Sequence, residues 1–442
     1  MKRLHRSMPQ PCSPRAAAIA TLRRFWHSPA PIRDFFADKL SALDRRLAMN
    51  IVYGVLRQRQ FLEALIVRLC HHPLHKLDAT LREALAAGLY QLFFLSRIPT
   101  SAAVNETVEA AKQLGLPPHL TGVLNGSLRG AIRQKDDLPR ADGFLNHPDW
   151  LINRWQERFG QAEMRRLCAA NNGQPPLTAR VNIRRRSQAE WQTMLAANGI
   201  TARPGAYAPD ALILPDYQGA ISALPGFTEG FFHVQDEAAQ LACLLLGKSD
   251  EKIAILDACA GLGGKTATIA QLFPKAAIIA VEPDAERGRL FAENRRRLDC
   301  AAELFTDTLA AYAATQPPLF HGIFLDAPCS GSGVCGRRPE IRWSRHVAEL
   351  PRFHDKQLAL LNCAATLLAP GGVLLYATCS LEDEENGQVI GDFLAEHPDM
   401  IPEDCRPFLP EAASAFLTAD GFFQALPSQN LDGFFAARLR KR

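Results

Sequence analysis

The 442 residues read as a multidomain chain: an all-α bundle, a small α/β connector and a C-terminal α/β domain with a doubly wound parallel sheet. Three observations predict this. Leucines recur at helical spacing in the first part of the chain, as at Leu81, Leu85, Leu89 and Leu92. From about Gly230 onward, short apolar runs alternate with helical segments, as in a parallel sheet covered by helices. Two of those runs stop at polar, cysteine-bearing turns. One is Ile323-Phe-Leu-Asp-Ala-Pro-Cys329-Ser-Gly-Ser, and the other, fifty positions later, is Tyr376-Ala-Thr-Cys379-Ser380. A buried strand that delivers a functional group to the end of a sheet has this form.

The elements follow in order. Ser13-Pro14 supplies an N-cap and a first-turn proline for a helix through Trp26. Thr100-Ser101 opens a helix that Gly115 and Pro117 close, and a further one runs from about His119 to Lys135. Residues 1–140 therefore form a helical domain. His147-Pro148-Asp149-Trp150 opens a helix ending near Gly160, and a second reaches about Ala170. Leu177–Ile183 and Ala211–Leu214 read as strands flanking a helix from Gln188 to Asn198, stopped by Gly199. Residues 145–230 are the connector. In the last domain, 231–442, strands fall at Ile253–Asp257, Ala277–Glu282, Ile323–Asp326 and Gly372–Thr378. Helices fall at Lys265–Phe273 and Ala285–Leu298, and Asp432–Leu439 closes the chain as an edge strand.

Composition narrows the function. With 47% hydrophobic and 22% charged residues the chain is globular, and no apolar run approaches the ~20 residues of a membrane span. Ala16–Leu22 follows basic residues as a signal peptide would, but Arg23, Arg24 and Trp26 come at once, so an amphipathic helix and a cytoplasmic protein are expected. Eleven cysteines without C-x-x-C pairs, and with no Cys/His cluster at zinc-site spacing, point to reduced thiols and no metal. The net charge of +4 hides an asymmetry: residues 1–60 hold 12 Lys/Arg against 3 Asp/Glu, leaving −5 for the rest. A basic domain ahead of a near-neutral or acidic one suggests a polyanion-binding module beside a catalytic one, with a solvated basic face as the plain alternative. Arg and Lys in residues 1–60, Arg184–Arg186 and Arg337-Arg338 are the candidate phosphate contacts.

Three constellations carry chemistry. Asp257-Ala-Cys259-Ala260-Gly261-Leu262-Gly263-Gly264-Lys265-Thr266 places glycines between a strand and a helix, where backbone can approach a ligand closely. It lacks G-x-G-x-x-G, which disfavours a nicotinamide oxidoreductase. Cys259 stands where a P-loop needs its first glycine. A loop around an adenosine-and-amino-acid ligand remains. Glu282, about 20 residues on, can accept both hydroxyls of a ribose, and Asp307 can accept from an adenine amino group. The second constellation is Asp326-Ala-Pro-Cys329-Ser-Gly-Ser-Gly333 with Arg337-Arg338-Pro-Glu340-Ile-Arg342-Trp343 behind it. The third is Thr378-Cys379-Ser380 with Glu384, Glu385 and Asn386 beyond. A structural cysteine belongs inside a strand; these two stand past strand ends. Methyl transfer to carbon 5 of a pyrimidine needs this set. A thiolate adds to carbon 6, an acid hydrogen-bonded to N3 favours the addition, and a base removes the carbon 5 proton.

These motifs resemble the RNA 5-methylcytosine methyltransferases with two motif cysteines. The helical N-terminal domain resembles the NusB-like RNA-binding fold. The combination is similar to bacterial small-subunit rRNA cytosine-5 methyltransferases. The resemblance implies a Rossmann-like catalytic domain, S-adenosyl-L-methionine as methyl donor and 16S rRNA short of the fully assembled subunit as partner, with the enzyme a monomer. By motif, Cys379 becomes the nucleophile, whereas DNA cytosine methyltransferases use the cysteine of a Pro-Cys motif. Cys329 would release the product, and Asp326 would contact N3 and lie near the donor. Cys259–Lys265, Glu282 and Asp307 would surround the cofactor. Two departures stand out: Ala-Gly-Leu-Gly-Gly replaces the family's Ala-Ala-Pro-Gly-Gly, and Glu282 replaces Asp. Both keep the backbone freedom and the charge. A tRNA substrate with the same mechanism, or a non-catalytic RNA-binding assembly factor on the same fold, are the competing readings.

Overall fold

A computed structural model describes residues 13–28, 32, 40–428 and 430–442. The phosphate contacts expected at Lys2, Arg3, Arg6, Arg33 and Lys39, and the reduced thiol expected at Cys12, lie outside the described residues. The described residues up to Gly173, together with Cys335–Arg345, form one compact unit. Gln174–Val334 with His346–Arg442 forms the other.

The first unit is helical: Pro14–His27, Ala42–Arg57, Arg59–Cys70, Ala79–Phe94, Thr100–Gln113 and Pro118–Arg133 enclose a core of Leu22, Phe25, Val55, Phe61, Leu85 and Leu89. Ser13 Oγ accepts the Ala16 amide at 3.2 Å, the cap its sequence anticipates. Helix Asp149–Asn172 also packs in this unit and breaks at Gly160, whose φ of +81° only glycine adopts freely.

Part of the expected basic surface is interior. Arg15, Arg57 and Arg59 are all buried. Arg15 donates to Gln91 at 2.8 Å, Arg57 to the Gly336 carbonyl at 2.9 Å, and Arg59 grips the fully buried Glu83 through both terminal nitrogens, at 2.7 and 3.2 Å. These three are therefore not phosphate contacts: a charge count cannot tell a solvated arginine from one consumed by internal acceptors. The segment Cys335–Arg345 is held in the same way. Buried Arg342 donates to the carbonyls of Asn146, Asn171 and Cys335 and to Asn172 Oδ1, while Trp343 Nε1 donates to Leu56 O at 2.7 Å.

The second unit carries two sheets. β1 (Leu177–Val181), β2 (Arg203–Pro204), β3 (Ala211–Leu214) and β4 (Phe232–Val234) form an antiparallel sheet ordered β2-β3-β1-β4. Helix Gln188–Ala197 covers it, capped by a Ser187/Glu190 box, with Trp191 stacked on Phe232 at 4.4 Å. The larger sheet contains β5 (Ala254–Asp257), β6 (Ala277–Val281), β7 (Ala302–Phe305), β8 (Phe320–Asp326), β9 (Leu368–Thr378), β10 (Met400–Glu403), β11 (Phe423–Ala425) and β12 (Phe434–Lys441). Its order is β10-β12-β9-β8-β5-β6-β7, with β11 paired to β12; β9 through β7 are parallel. Helices Gly264–Leu272, Ala285–Leu298, Leu350–Thr366 and Gly387–Glu396 follow the strands, as doubly wound folds require.

The last strand corrects an expectation. Asp432–Leu439 does not run along the edge: β12 lies between β9 and β10, antiparallel to both. The covering strand β10 reads Met-Ile-Pro-Glu, and a proline argues against a strand when sequence alone is weighed. Arg438 and Arg440, which would suit a solvated edge, both bind Glu403 of β10, at 2.7 and 2.6 Å. Among the described residues no helix is long and apolar enough to cross a membrane.

Candidate active site

Chain order reverses direction at β5, which has β6 on one side and β8 on the other. The crevice outside the carboxyl ends of the strands at such a switch is where open α/β sheets bind ligands. Five strand ends deliver polar groups there. Asp257 ends β5 and Asp326 ends β8; Glu282, Asp307 and Cys379 stand just past β6, β7 and β9.

A cavity of about 360 Å³ opens at this crevice. Of the residues the sequence singles out, Cys259, Ala260, Gly261, Leu262, Gly264, Lys265, Asp326 and Cys379 line it; Gly263, Glu282, Asp307 and Cys329 do not. Gly263 underlies the loop as N-cap of the following helix, at φ +84°. A Cβ there would meet the Phe291 ring at 2.8 Å, so glycine is needed on both counts. The Ala260 amide donates to Val281 O at 2.9 Å, which lays the loop across the end of β6 beside Glu282. Glu282 is buried; its Oε1 accepts the Asp284 amide at 2.9 Å, and Oε2 has no protein donor among the described residues. Asp307 is exposed and accepts the amide of its own neighbour Thr308 at 2.6 Å.

Cys329 Sγ and Cys379 Sγ lie 3.2 Å apart. The contact with Cys379, then burial, holds the Cys329 thiol well above the ordinary cysteine range, and the charges of Glu385 and Asp326 push the same way. Cys329 therefore keeps its proton. On the cavity wall Lys265 Nζ donates to Asp326 Oδ2 at 2.6 Å. Burial opposes charge on Lys265, but the Asp326 carboxylate outweighs it and holds the ammonium above its usual range. Asp257 sits beneath the loop, fully buried and accepting from Thr266 Oγ1 at 2.6 Å; burial raises its carboxyl to about 6. Cys259 is pushed up by burial, then by Asp326, Asp257 and Glu282, so its thiol is inert.

Several groups escaped the sequence reading. Val234, Gln235, Asp236, Ala239, Val334, Asp432 and Phe434 also line the cavity, and the Asp432 amide donates to Asp236 Oδ1 at 3.1 Å. Asp236 caps helix Glu237–Leu244, and the run Asp-Glu-Ala-Ala-Gln was a legible start signal. Asp432 and Phe434, brought in by the returning β12, had no local signal. The Lys265–Asp326 pair joins residues 61 apart and could not be read from spacing. Among the described residues no cluster of His, Cys, Asp or Glu could hold a metal ion, and the ten described cysteines are free.

Three family models match successive parts of the chain. Residues 242–440 match the family described as 16S rRNA methyltransferase RsmB/F, 147–219 its ferredoxin-like domain, and 14–133 the NusB family. The ribosomal RNA small subunit methyltransferase B of Cronobacter sakazakii is 38% identical over 420 residues, covering 91% of this chain and 92% of that protein. Its Vibrio cholerae counterpart is 35% identical over 438 residues, covering 97% of each. Among solved structures, PH0851 covers 100% of both chains with a TM-score of 0.77 at 25% identity. A methyltransferase homolog protein from Pyrococcus horikoshii covers 67% of this chain and 96% of its own, with a TM-score of 0.58 at 26% identity. With relatives this similar over nearly their whole length, and with a NusB domain, a ferredoxin-like connector and a Rossmann-like methyltransferase domain in one chain, the protein belongs to the RsmB/F family of 16S rRNA methyltransferases.

Proposed function

We propose that this chain methylates carbon 5 of a cytosine in 16S rRNA through a covalent adduct between Cys379 and carbon 6. The observation that carries the reading is the pair of thiols, 3.2 Å apart at the rim of a crevice that also holds Asp326. Two reactive-end cysteines serve no purpose in a methylation of ribose or of an exocyclic amine. Ring carbon needs a nucleophile to make it one. The division between an RNA-reading domain and a catalytic one also supports a large RNA substrate.

Cys379 Sγ adds to carbon 6 as thiolate. A proton delivered through Asp326 to ring N3, with the Lys265 ammonium beside it, neutralises the charge that addition creates and leaves carbon 5 nucleophilic. S-adenosyl-L-methionine would supply the methyl group that carbon 5 takes, and the residues fit it. The glycine loop lets backbone close on a ligand, Glu282 Oε2 is open to a ribose, and the cavity lies against Asp326. Cys329, with its proton and its contact to Cys379, serves release: the carbon 5 proton passes to solvent water, the sulfur–carbon bond breaks with its electron pair returning to Cys379, whose sulfur can take the Cys329 proton, and N3 returns its proton to Asp326.

RNA outside the crevice would meet a second feature. Arg184–Arg186 follow β1, and Arg295–Arg297 close helix Ala285–Leu298; Asn182 Nδ2 joins the two ends by donating to Leu298 O at 3.0 Å. Arg185, Arg296 and Arg297 line an open cavity of about 480 Å³ with Phe227, whose ring lies 4.2 Å from the Arg297 guanidinium; Glu229 and Glu293 share it. Arginine interleaved with an aromatic ring suits a ribose-phosphate backbone.

The test uses labelled S-adenosyl-L-methionine and protein-free 16S rRNA. Cys379→Ala is expected to lose activity and form no adduct, while Cys329→Ala accumulates a covalent protein–RNA complex. Retained methylation by Cys379→Ala, or the reverse trapping pattern, overturns the assignment.

A further inference from the structure

Both cysteine turns read Cys-Ser, and both serines reach the same carboxylate. Glu385, fully buried nine residues along from Tyr376 and outside the mechanism above, accepts at Oε1 from the Ser330 amide at 2.7 Å and from Gln357 Nε2 at 3.0 Å. At Oε2 it accepts from the hydroxyls of both Ser330 and Ser380. All four partners are donors, so the group acts as an acceptor throughout. The same neighbourhood fixes the flanks. Gln357 also donates to Pro328 O at 3.0 Å, Asn386 Nδ2 to Ser380 O at 2.9 Å, and Tyr376 Oη to the Glu385 carbonyl at 2.6 Å. Every one of these residues lies within the same compact unit.

We propose that Glu385 is a positioning residue: by gripping the serine that follows each cysteine, it sets the distance and aim of the two thiols. A buried carboxylate saturated by four donors is stiff, because moving either turn would strip it of a bond it cannot replace from water. A loop pair joined only by its strands has no such restraint. The function of this separation rests on the cytosine chemistry proposed above; the restraint itself does not. The charge has a second effect, since Glu385 is among the groups that keep the proton on Cys329. Those facing that thiol are Cys379, Glu385, Asp326 and the Tyr376 hydroxyl, with the Lys265 ammonium across the Asp326 carboxylate.

Substitutions separate grip from charge. In Glu385→Gln the amide oxygen can keep both obligate donors, the Ser330 N–H and Gln357. The amide nitrogen can then offer its two hydrogens to the serine hydroxyls, which accept as readily as they donate. The grip survives and the charge is gone. Glu385→Asp is one methylene too short to hold both turns, and Glu385→Ala holds neither.

The experiment measures three things on the full chain: thermal unfolding, kcat and KM for protein-free 16S rRNA, and the pH midpoint for alkylation of Cys329 by iodoacetamide without RNA. Folded Glu385→Ala and Glu385→Asp should lose kcat by about 100-fold, the scale of a 1 Å misplacement, with KM within about threefold. Glu385→Gln should keep kcat within about fivefold, since the grip is retained, and its Cys329 midpoint should move to lower pH because a facing negative charge has been removed. A folded Glu385→Ala or Glu385→Asp with wild-type kcat overturns the proposal, as does an unmoved Cys329 midpoint in Glu385→Gln. If the two shorter variants do not fold, the Gln variant decides. A wild-type enzyme that makes no 5-methylcytosine sinks the cytosine reading instead, while the alkylation midpoint still judges Glu385.

Discussion

Lys265 Nζ donates to Asp326 Oδ2 at 2.6 Å, tying the glycine loop after β5 to the acid at the end of β8. The side chains are 22% and 26% exposed, so the pair stands at the cavity wall and is not sealed inside. Asp326 Oδ1 has no protein donor among the described residues, which leaves one oxygen for a substrate base. In the proposed cytosine chemistry the lysine would do two jobs: orient the carboxylate, and keep a mobile proton next to ring N3. Lys265→Met retains the aliphatic stem against Phe434, 5.6 Å from the ammonium, but removes both jobs. Its single-turnover rate is expected to fall about 100-fold, within the usual range for a positioned proton donor. A rate within threefold of wild type at saturating cofactor and RNA would rule the role out.

The helical unit has its own buried ion pair, and stability should report it. Arg59 and Glu83 are both buried, joined by two hydrogen bonds, with Arg82 on the same carboxylate at 2.8 Å and the Trp26 ring 4.7 Å from the Arg59 guanidinium. Burial works against the Glu83 charge, but the Arg59 charge and hydrogen bonds outweigh it and hold the carboxyl below its usual range. Removing Arg59 takes two of the hydrogen bonds from a buried carboxylate and leaves it only Arg82, so Arg59→Ala should destabilise by about 3 kcal/mol in urea unfolding. With a lowered folded-state value, the pair's contribution is present above the unfolded carboxyl range, about 4.3, and fades as pH falls below it. Equal losses for Arg59→Ala at pH 7 and pH 3.5 would contradict this.

How much of this was legible in the sequence follows from range. Features set by neighbours in the chain were: the Ser13 cap, the Ala285–Leu298 helix, the break at Gly160, and Cys379 just past a strand end all agree with local patterns. The paired thiols were readable because apolar runs that end on cysteine are unusual in a core. What depended on distant partners was not. Lys265 and Asp326, Glu385 and the two serines, and Arg342 with its four acceptors are each made by the fold bringing separated segments together. The basic excess of residues 1–60 misled in part for this reason, since Arg15, Arg57 and Arg59 spend their charge inside. β10 was hidden by its proline and took the position of β12 with it.

Beneath the glycine loop two buried groups titrate in opposition. His233 is fully desolvated, and burial, then the Arg180 charge, lowers it to about 3. Since the unfolded ring titrates near 6.5, stability is lost between about pH 6.5 and 3, at ~1.4 kcal/mol per unit. Asp257 runs the other way. Burial raises it to about 6 against an unfolded value near 3.9, so the folded state takes up a proton first and gains stability as pH falls from 6 to 4. The two nearly cancel in that window. Asp257→Asn removes the gain and leaves the loss. The unfolding free energy of wild type relative to Asp257→Asn should therefore rise by roughly 3 kcal/mol between pH 6.5 and pH 4. A difference that stays constant over that range would show that Asp257 is already ionised in the fold.

The two arginine runs of the second unit should act on RNA affinity and not on chemistry. The guanidinium groups of Arg184 and Arg296 make no hydrogen bond or ion pair among the described residues, whereas Arg185 pairs with Asp299 at 3.2 Å and Arg297 is spent on the carbonyls of Phe227 and Phe232. Arg184 and Arg296 are thus the members free to meet phosphate. Arg184→Glu with Arg296→Glu leaves the aromatic ring and the anchored arginines in place, so folding should be unaffected. The double variant should raise KM for 16S rRNA severalfold with kcat unchanged. The slope of log affinity against log salt should become shallower by about 0.7 to 0.9 for each phosphate that is no longer neutralised, because every phosphate paired with an arginine releases condensed counterions. Salt dependence is the discriminating measurement: a mutation that merely loosened the loop after β1 could weaken binding, but it would leave the slope alone. An unchanged slope with unchanged KM would place the RNA path elsewhere on the chain.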